Sequence, residues 1–161
     1  MSSEAWDERP SLWKGLAAGV VAGLVATAAK SIAEKLYPPR IHGEPESPVL
    51  LSERVAGYAL DEQTGATASE AIHWGFGAAA GAFYGALAEF YPAATAKEGA
   101  GFGLALLALT HQDALPALEL SAPLEDVEEQ GERERTSEAA THILYGVVAE
   151  RVRSIVRRLL D

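Results

Sequence analysis

The 161-residue sequence predicts an all-α fold, a four-helix transmembrane bundle with an outward-facing acidic loop region. Three observations carry that expectation. Apolar residues fall in four blocks, each near the roughly 20 residues that cross a bilayer, and acidic residues concentrate between the blocks. Two blocks carry a glycine every fourth residue: Gly15, Gly19 and Gly23, then Gly77, Gly81 and Gly85. Finally, the ionisable residues within the blocks fall at one depth once the helices are threaded up and down. The chain reads as a single domain over residues 1–161, with helices at about 13–37, 69–91, 97–119 and 137–160.

The first block has no charge from Gly15 to Ala29 and stops at Pro38-Pro39, since proline cannot continue a helix. The second, HWGFGAAAGAFYGALAEFYP, is ended by Pro92. The third, residues 99–120, is interrupted by His111, Asp113 and Pro116, and the fourth runs from Thr136-Ser137 into a basic tail. A soluble bundle with an alanine-rich core is the competing reading. The glycines separate the two. In water each interior glycine costs about 1 kcal/mol relative to alanine. In lipid a small-xxx-small stripe lets helix backbones approach closely, and spacing of four places each set on one helix face.

Composition narrows the function. A formal net charge of −10 argues against nucleic acid as a partner, which requires a basic face. With no cysteine, disulfide and thiol chemistry are excluded. Glu4, Asp7, Glu8 and Arg9 occupy the place of a basic n-region, so no cleavable signal peptide is expected. Arg151, Arg153, Arg157 and Arg158 close the last helix and, by the positive-inside tendency, belong in the cytoplasm. Four crossings then put both termini on the cytoplasmic side of the membrane. The connection over residues 38–68 and the acidic segment SAPLEDVEEQGERERTSE face outward.

In that topology Lys30, Glu34, Glu70, His73, His111, Asp113, Glu138 and His142 share the outer half of the bundle. Lys30 and Glu34 follow Gly23 by seven and eleven residues, within about 20° of its direction on a helix of 3.6 residues per turn. Glu138 and His142 stand four apart, with Gly146 next on their face. Buried ionisable groups in a membrane pair with one another or mark a pathway, so Lys30, Glu34, His73, His111, Glu138 and His142 form the candidate polar cluster. The plainer reading lets each residue reach interfacial water by itself.

The order AGVVAGLVATAAKSIAEKLYPPR, HWGFGAAAGAFYGALAEFYP, GFGLALLALTHQDALPALEL, SEAATHILYGVVAERVRSIVRR resembles the YagU-like family of small bacterial inner-membrane proteins, over about residues 14–158. The matching points are Lys30, Glu34, Pro38, Pro39, Arg40, His73, His111, Pro116, Glu138 and His142. The resemblance implies a membrane domain of unknown function, linked in its naming to acid tolerance. Three functions follow as expectations. One is proton or ion balance through the polar cluster, since histidine titrates near neutral pH. Another is a metal or haem site on Glu138, His142, His73 and His111. The third is an accessory or assembly protein whose glycine stripes bind partner helices in the lipid bilayer, those of a second copy in a homo-oligomer or those of another membrane protein. No enzyme signature is present: GFG at 75–77 and GAGFG at 99–103 lack the strand that a phosphate loop follows. No resident cofactor is expected unless that metal or haem site is real.

Overall fold

The computed structural model describes residues 10–38, 47–110 and 132–161. Among these the chain is all helical. α1 is Leu12–Leu36, α2 is Ser47–Ala56, and α3 is Glu62–Phe90. A 3-10 segment, Pro92–Gly99, leads into α4, Ala100–Leu107, and α5 is Glu132–Leu159.

The boundaries follow local chemistry. α1 stops at Tyr37, whose backbone is extended (φ −136°) ahead of Pro38, because a residue before proline is pushed out of the helical region. The second long helix starts at Glu62, ahead of the expected 69. Asp61 caps it there, its carboxylate accepting the Thr64 N–H at 3.1 Å. That hydrogen bond also lowers the Asp61 pKa. α2 lies within the connection that sequence patterning left without structure. Between α3 and α4 the chain reverses through Lys97, Glu98 and Gly99, all left-handed at φ 54°, 56° and 84°. After Leu107 the helix widens into a π turn at residues 108–110. The expected continuation of this helix to 119 lies outside the described residues.

α1 and α3 run antiparallel with their glycines interleaved. A Cβ on Gly15 would stand 2.8 Å from the Gly85 oxygen, one on Gly23 would stand 2.9 Å from the Gly81 Cα, and one on Gly85 would stand 2.7 Å from the Gly19 Cα. A second such seam joins the start of α4 to α5, where a Cβ on Gly146 would stand 2.7 Å from the Gly103 nitrogen. α1 also packs along α5, and α2 packs on α3. Tyr84, Phe102 and Tyr145 fill the space left between the helices, with Tyr84 stacked on Phe102 at 4.4 Å.

The interior is small or polar. Buried positions are Gly15, Ala18, Gly19, Ala22, Gly23, Ala26 and Thr27 on α1, joined by Tyr84, Ala88, Glu138, Thr141, His142, Tyr145 and Ala149. Among the described residues no Leu, Ile, Val, Phe or Trp is buried. Val21, Leu24 and Val25 of α1 face outward, as do Phe76, Phe83 and Phe90 of α3.

By length and composition, one described helix, Leu12–Leu36, is long and apolar enough to cross a membrane. The expectation of four such segments is therefore not met on these grounds. α3 draws its length from glycine and alanine, which add little hydropathy, and its first turns are polar. α5 ends in Arg151, Arg153, Arg157 and Arg158, and α4 is described for Ala100–Leu107 alone.

Candidate functional site at the histidine end of the bundle

The helices bring three polar pairs to one depth. The first joins α1 to α3, where the Ser31 hydroxyl lies 3.0 Å from His73 Nε2. The second is the ion pair of Lys30 with Glu34, one turn apart on α1, with side chains 14% and 23% exposed. The third is Glu138 with His142 on α5, with side chains only 7% and 5% exposed. His142 Nδ1 is 2.9 Å from the Glu138 carbonyl oxygen and 3.5 Å from Glu138 Oε1. A carbonyl can only accept, so Nδ1 is the nitrogen that donates here.

Their common depth follows from the register. Thr27, Gly77 and Tyr145 form the adjoining layer: Thr27 closes over Gly77, and the Tyr145 hydroxyl donates to the Gly77 oxygen at 2.7 Å. Ser31, His73 and His142 each stand one turn from that layer on their own helix. Burial of His142 is made possible by Gly103. A Cβ on Gly103 would stand 2.8 Å from the His142 carbonyl carbon, so only glycine lets α4 close over this turn. Ser137 ties the same end together, its hydroxyl donating to the Tyr37 oxygen at 2.6 Å.

Of the six residues in the expected cluster, Lys30, Glu34, His73, Glu138 and His142 stand in this layer, in the pairs Ser31–His73, Lys30–Glu34 and Glu138–His142. His111 lies outside the described residues, as do Asp113, Pro39, Arg40 and Pro116. Glu70 is turned away; its carboxylate accepts the Trp74 indole N–H at 2.9 Å in an exposed position. Among the described residues no group of three or more His, Asp or Glu side chains is arranged to hold a metal. Glu138 and His142 would supply two of the three or four ligands that zinc takes.

Patterning along single helices did not reveal the opposite end. There Glu89, just past the apolar run of α3, accepts two hydrogen bonds from Arg157, at 2.9 Å from Nε and 2.8 Å from Nη2. The Ser11 backbone N–H donates to the same carboxylate at 2.7 Å. Lys14 pairs with Asp161 at 2.8 Å, and Arg157 also bonds Asp161. Glu150 takes both a bidentate grip from Arg153 (2.7 and 2.8 Å) and the Tyr84 hydroxyl at 2.8 Å. Arg157 and Lys14 hold the Asp161 carboxyl below its ordinary range. Glu89 and Arg157 are 68 residues apart, so no spacing rule links them.

Between the two ends lie the hydroxyls of Tyr145 and Tyr84. They do not form a relay. The Tyr145 hydrogen goes to a peptide carbonyl, which accepts a proton's hydrogen bond and cannot pass it on.

The model of a family described as a protein of unknown function, DUF1440, matches residues 24–151. That span holds all five described members of the polar layer. Neither a curated protein nor a solved structure matches the chain.

Proposed function

The chain belongs to the DUF1440 family, whose function is unknown, and from its packing we propose that it is a multi-pass protein of a bacterial inner membrane, with four spans and both termini cytoplasmic. The observation that carries this reading is the inverted packing. Fully burying a Val, Leu, Ile or Phe side chain is worth about 1.5–3 kcal/mol in water, and this fold leaves Val21, Leu24, Val25, Phe76 and Phe83 outside while burying Thr27, Glu138, Thr141 and His142. In water that arrangement forfeits the main term that drives folding. In lipid it is the expected one, with small residues between helices and polar residues inward.

Two features support the crossing. Exposed Trp13 and Tyr91 stand at the arginine end and exposed Tyr37 at the other, as aromatic residues do at the two membrane surfaces. α1 spans 25 residues, or about 37 Å at 1.5 Å per residue, enough for a hydrocarbon core of about 30 Å.

The polar layer then lies toward the outside, where it is the part of the protein most open to changes in external pH. We read it as a proton-responsive structural site with no chemistry of its own, serving proton or ion balance. That agrees with the acid-tolerance naming of the YagU-like family that the sequence resembles. The broken line at Tyr145 favours a sensor over a pump.

Two measurements test this. The expressed protein should remain with membranes through a high-pH carbonate wash; recovery as a soluble monomer without detergent ends the membrane reading. His142→Ala should change the difference in thermal midpoint between neutral and mildly acid pH, measured in detergent. An unchanged difference removes His142 from any sensing role.

A further inference from the structure

We propose that the last turns of α5 dock the headgroup of an anionic phospholipid, with Arg158 holding the phosphate and Ile155 and Leu159 touching the glycerol and upper acyl carbons. The inference rests on the membrane reading above and adds a lipid partner to it.

The four arginines of α5 divide by face. Arg153 and Arg157 turn inward, where Glu150 and Glu89 grip them and leave each side chain 12% exposed. Arg151, Ile155, Arg158 and Leu159 follow one another at i, i+4, i+7 and i+8, so they share one face of the helix. All four are exposed, Ile155 at 51% and Leu159 at 80%. Leu144, exposed about two turns earlier, continues the same face. That face is turned away from the bundle and, in a membrane, borders lipid.

The register sets its level. Arg157 meets Glu89, which also accepts the Ser11 N–H. Exposed Tyr91 and Trp13 each follow that contact by two residues on their own segments. Arg158, next to Arg157, therefore stands where exposed aromatic residues mark the headgroup layer. Arginine between exposed aliphatic side chains suits that layer, because its stem meets hydrocarbon while its charge reaches the polar boundary.

The charge at this point asks for an anion. Arg151, Arg153 and Arg157 each meet a carboxylate, that of Glu98, Glu150 and Glu89 in turn. Arg158 does not. Its Nε donates to the Ser154 oxygen at 3.0 Å, and its two terminal nitrogens meet no acceptor among the described residues. Asp161, three residues on, is taken by Arg157 and Lys14. A guanidinium fork matches two oxygens of a phosphate, and basic side chains at a membrane surface attract anionic lipid. Phosphatidylglycerol brings its phosphate without a cation, whereas phosphatidylcholine carries an ammonium that competes with the arginine.

The test uses the full-length protein in phosphatidylcholine vesicles with a trace of phosphatidylglycerol or phosphatidylcholine spin-labelled deep in one acyl chain. Electron spin resonance separates lipid held at the protein surface from free lipid. The expected result is a several-fold stronger association of phosphatidylglycerol with the parent, falling to near parity in Arg158→Gln. Lys35→Gln removes an exposed cation from the opposite end and should leave the preference intact. Equal association of the two lipids with the parent overturns the proposal. So does an Arg158→Gln variant that keeps the preference, or a Lys35→Gln variant that loses as much of it. Phosphatidylcholine held by Arg158→Gln reports that the bundle is intact. If the parent holds neither lipid, the membrane reading has failed; if it holds phosphatidylcholine and does not prefer phosphatidylglycerol, only the headgroup site has failed.

Discussion

Gly81→Ala is expected to destabilise the bundle by about 1–3 kcal/mol, the usual cost of forcing atoms into a filled interior. On an exposed helix the same exchange stabilises by about 1 kcal/mol, so packing must reverse the sign. The reason is geometric. A Cβ on Gly81 would meet the Gly19 oxygen and the Gly23 Cα, and would stand 2.6 Å from the Gly23 nitrogen. All three are backbone atoms of a rigid helix, so no side chain can turn aside, and α1 and α3 must separate. Gly81→Leu should prevent assembly altogether. Gly75 provides the control, because a Cβ there meets nothing within 4 Å; Gly75→Ala should leave the thermal midpoint in detergent unchanged or raise it. Equal midpoints for Gly75→Ala and Gly81→Ala would show that the α1–α3 seam is not a close contact.

Glu89→Ala should cost about 3–5 kcal/mol, the range for removing one partner of a buried ion pair. The Arg157 side chain it leaves behind is only 12% exposed, and the Ser11 N–H loses its acceptor as well. Removing both charges with Glu89→Gln and Arg157→Gln should cost less than the two single changes added together, since neither charge is then stranded. Acid should act on the same end of the bundle. The Arg157 guanidinium and Lys14 hold the folded pKa of Asp161 below its ordinary value of 3.8, so its contribution is complete above that value and is lost as pH falls through the folded one. Asp161→Asn should therefore show a shallower decline in acid than the parent. A parallel decline in parent and variant would remove Asp161 from the acid response.

The helices were legible because their signals are local. Uncharged apolar runs, Pro38 and Pro92 mark where α1 and α3 lie, and the four-residue spacing of Gly15, Gly19 and Gly23 marks the face they share with Gly77, Gly81 and Gly85. The pairs Lys30–Glu34 and Glu138–His142 were legible for the same reason, since each sits one turn apart on one helix. Gly99, Gly103 and Gly146 were visible as glycines, but their common seam was not, because Gly99 precedes α4, Gly103 lies within it and Gly146 is on α5. α2 escaped notice because ten residues within a proline-flanked connection carry too few turns for a periodic pattern to stand out.

By itself the sequence determined an all-helical chain, the glycine faces along which its helices meet, and the turn-spaced polar pairs at one end. Each of these depends on residues within one or two helical turns, where 3.6-residue geometry alone fixes their relation. Only the tertiary structure decided that Ser31 meets His73, that Tyr145 closes the polar layer on the Gly77 carbonyl, and that Glu89 and Arg157 clamp the arginine end. It also decided which way each face turns: the large aliphatic residues go outward, and alanine, threonine and histidine go inward. The physical reason is common to all of these. A contact between distant residues is set by how closely two backbones approach, and here that approach depends on paired glycines whose partners no single helix contains.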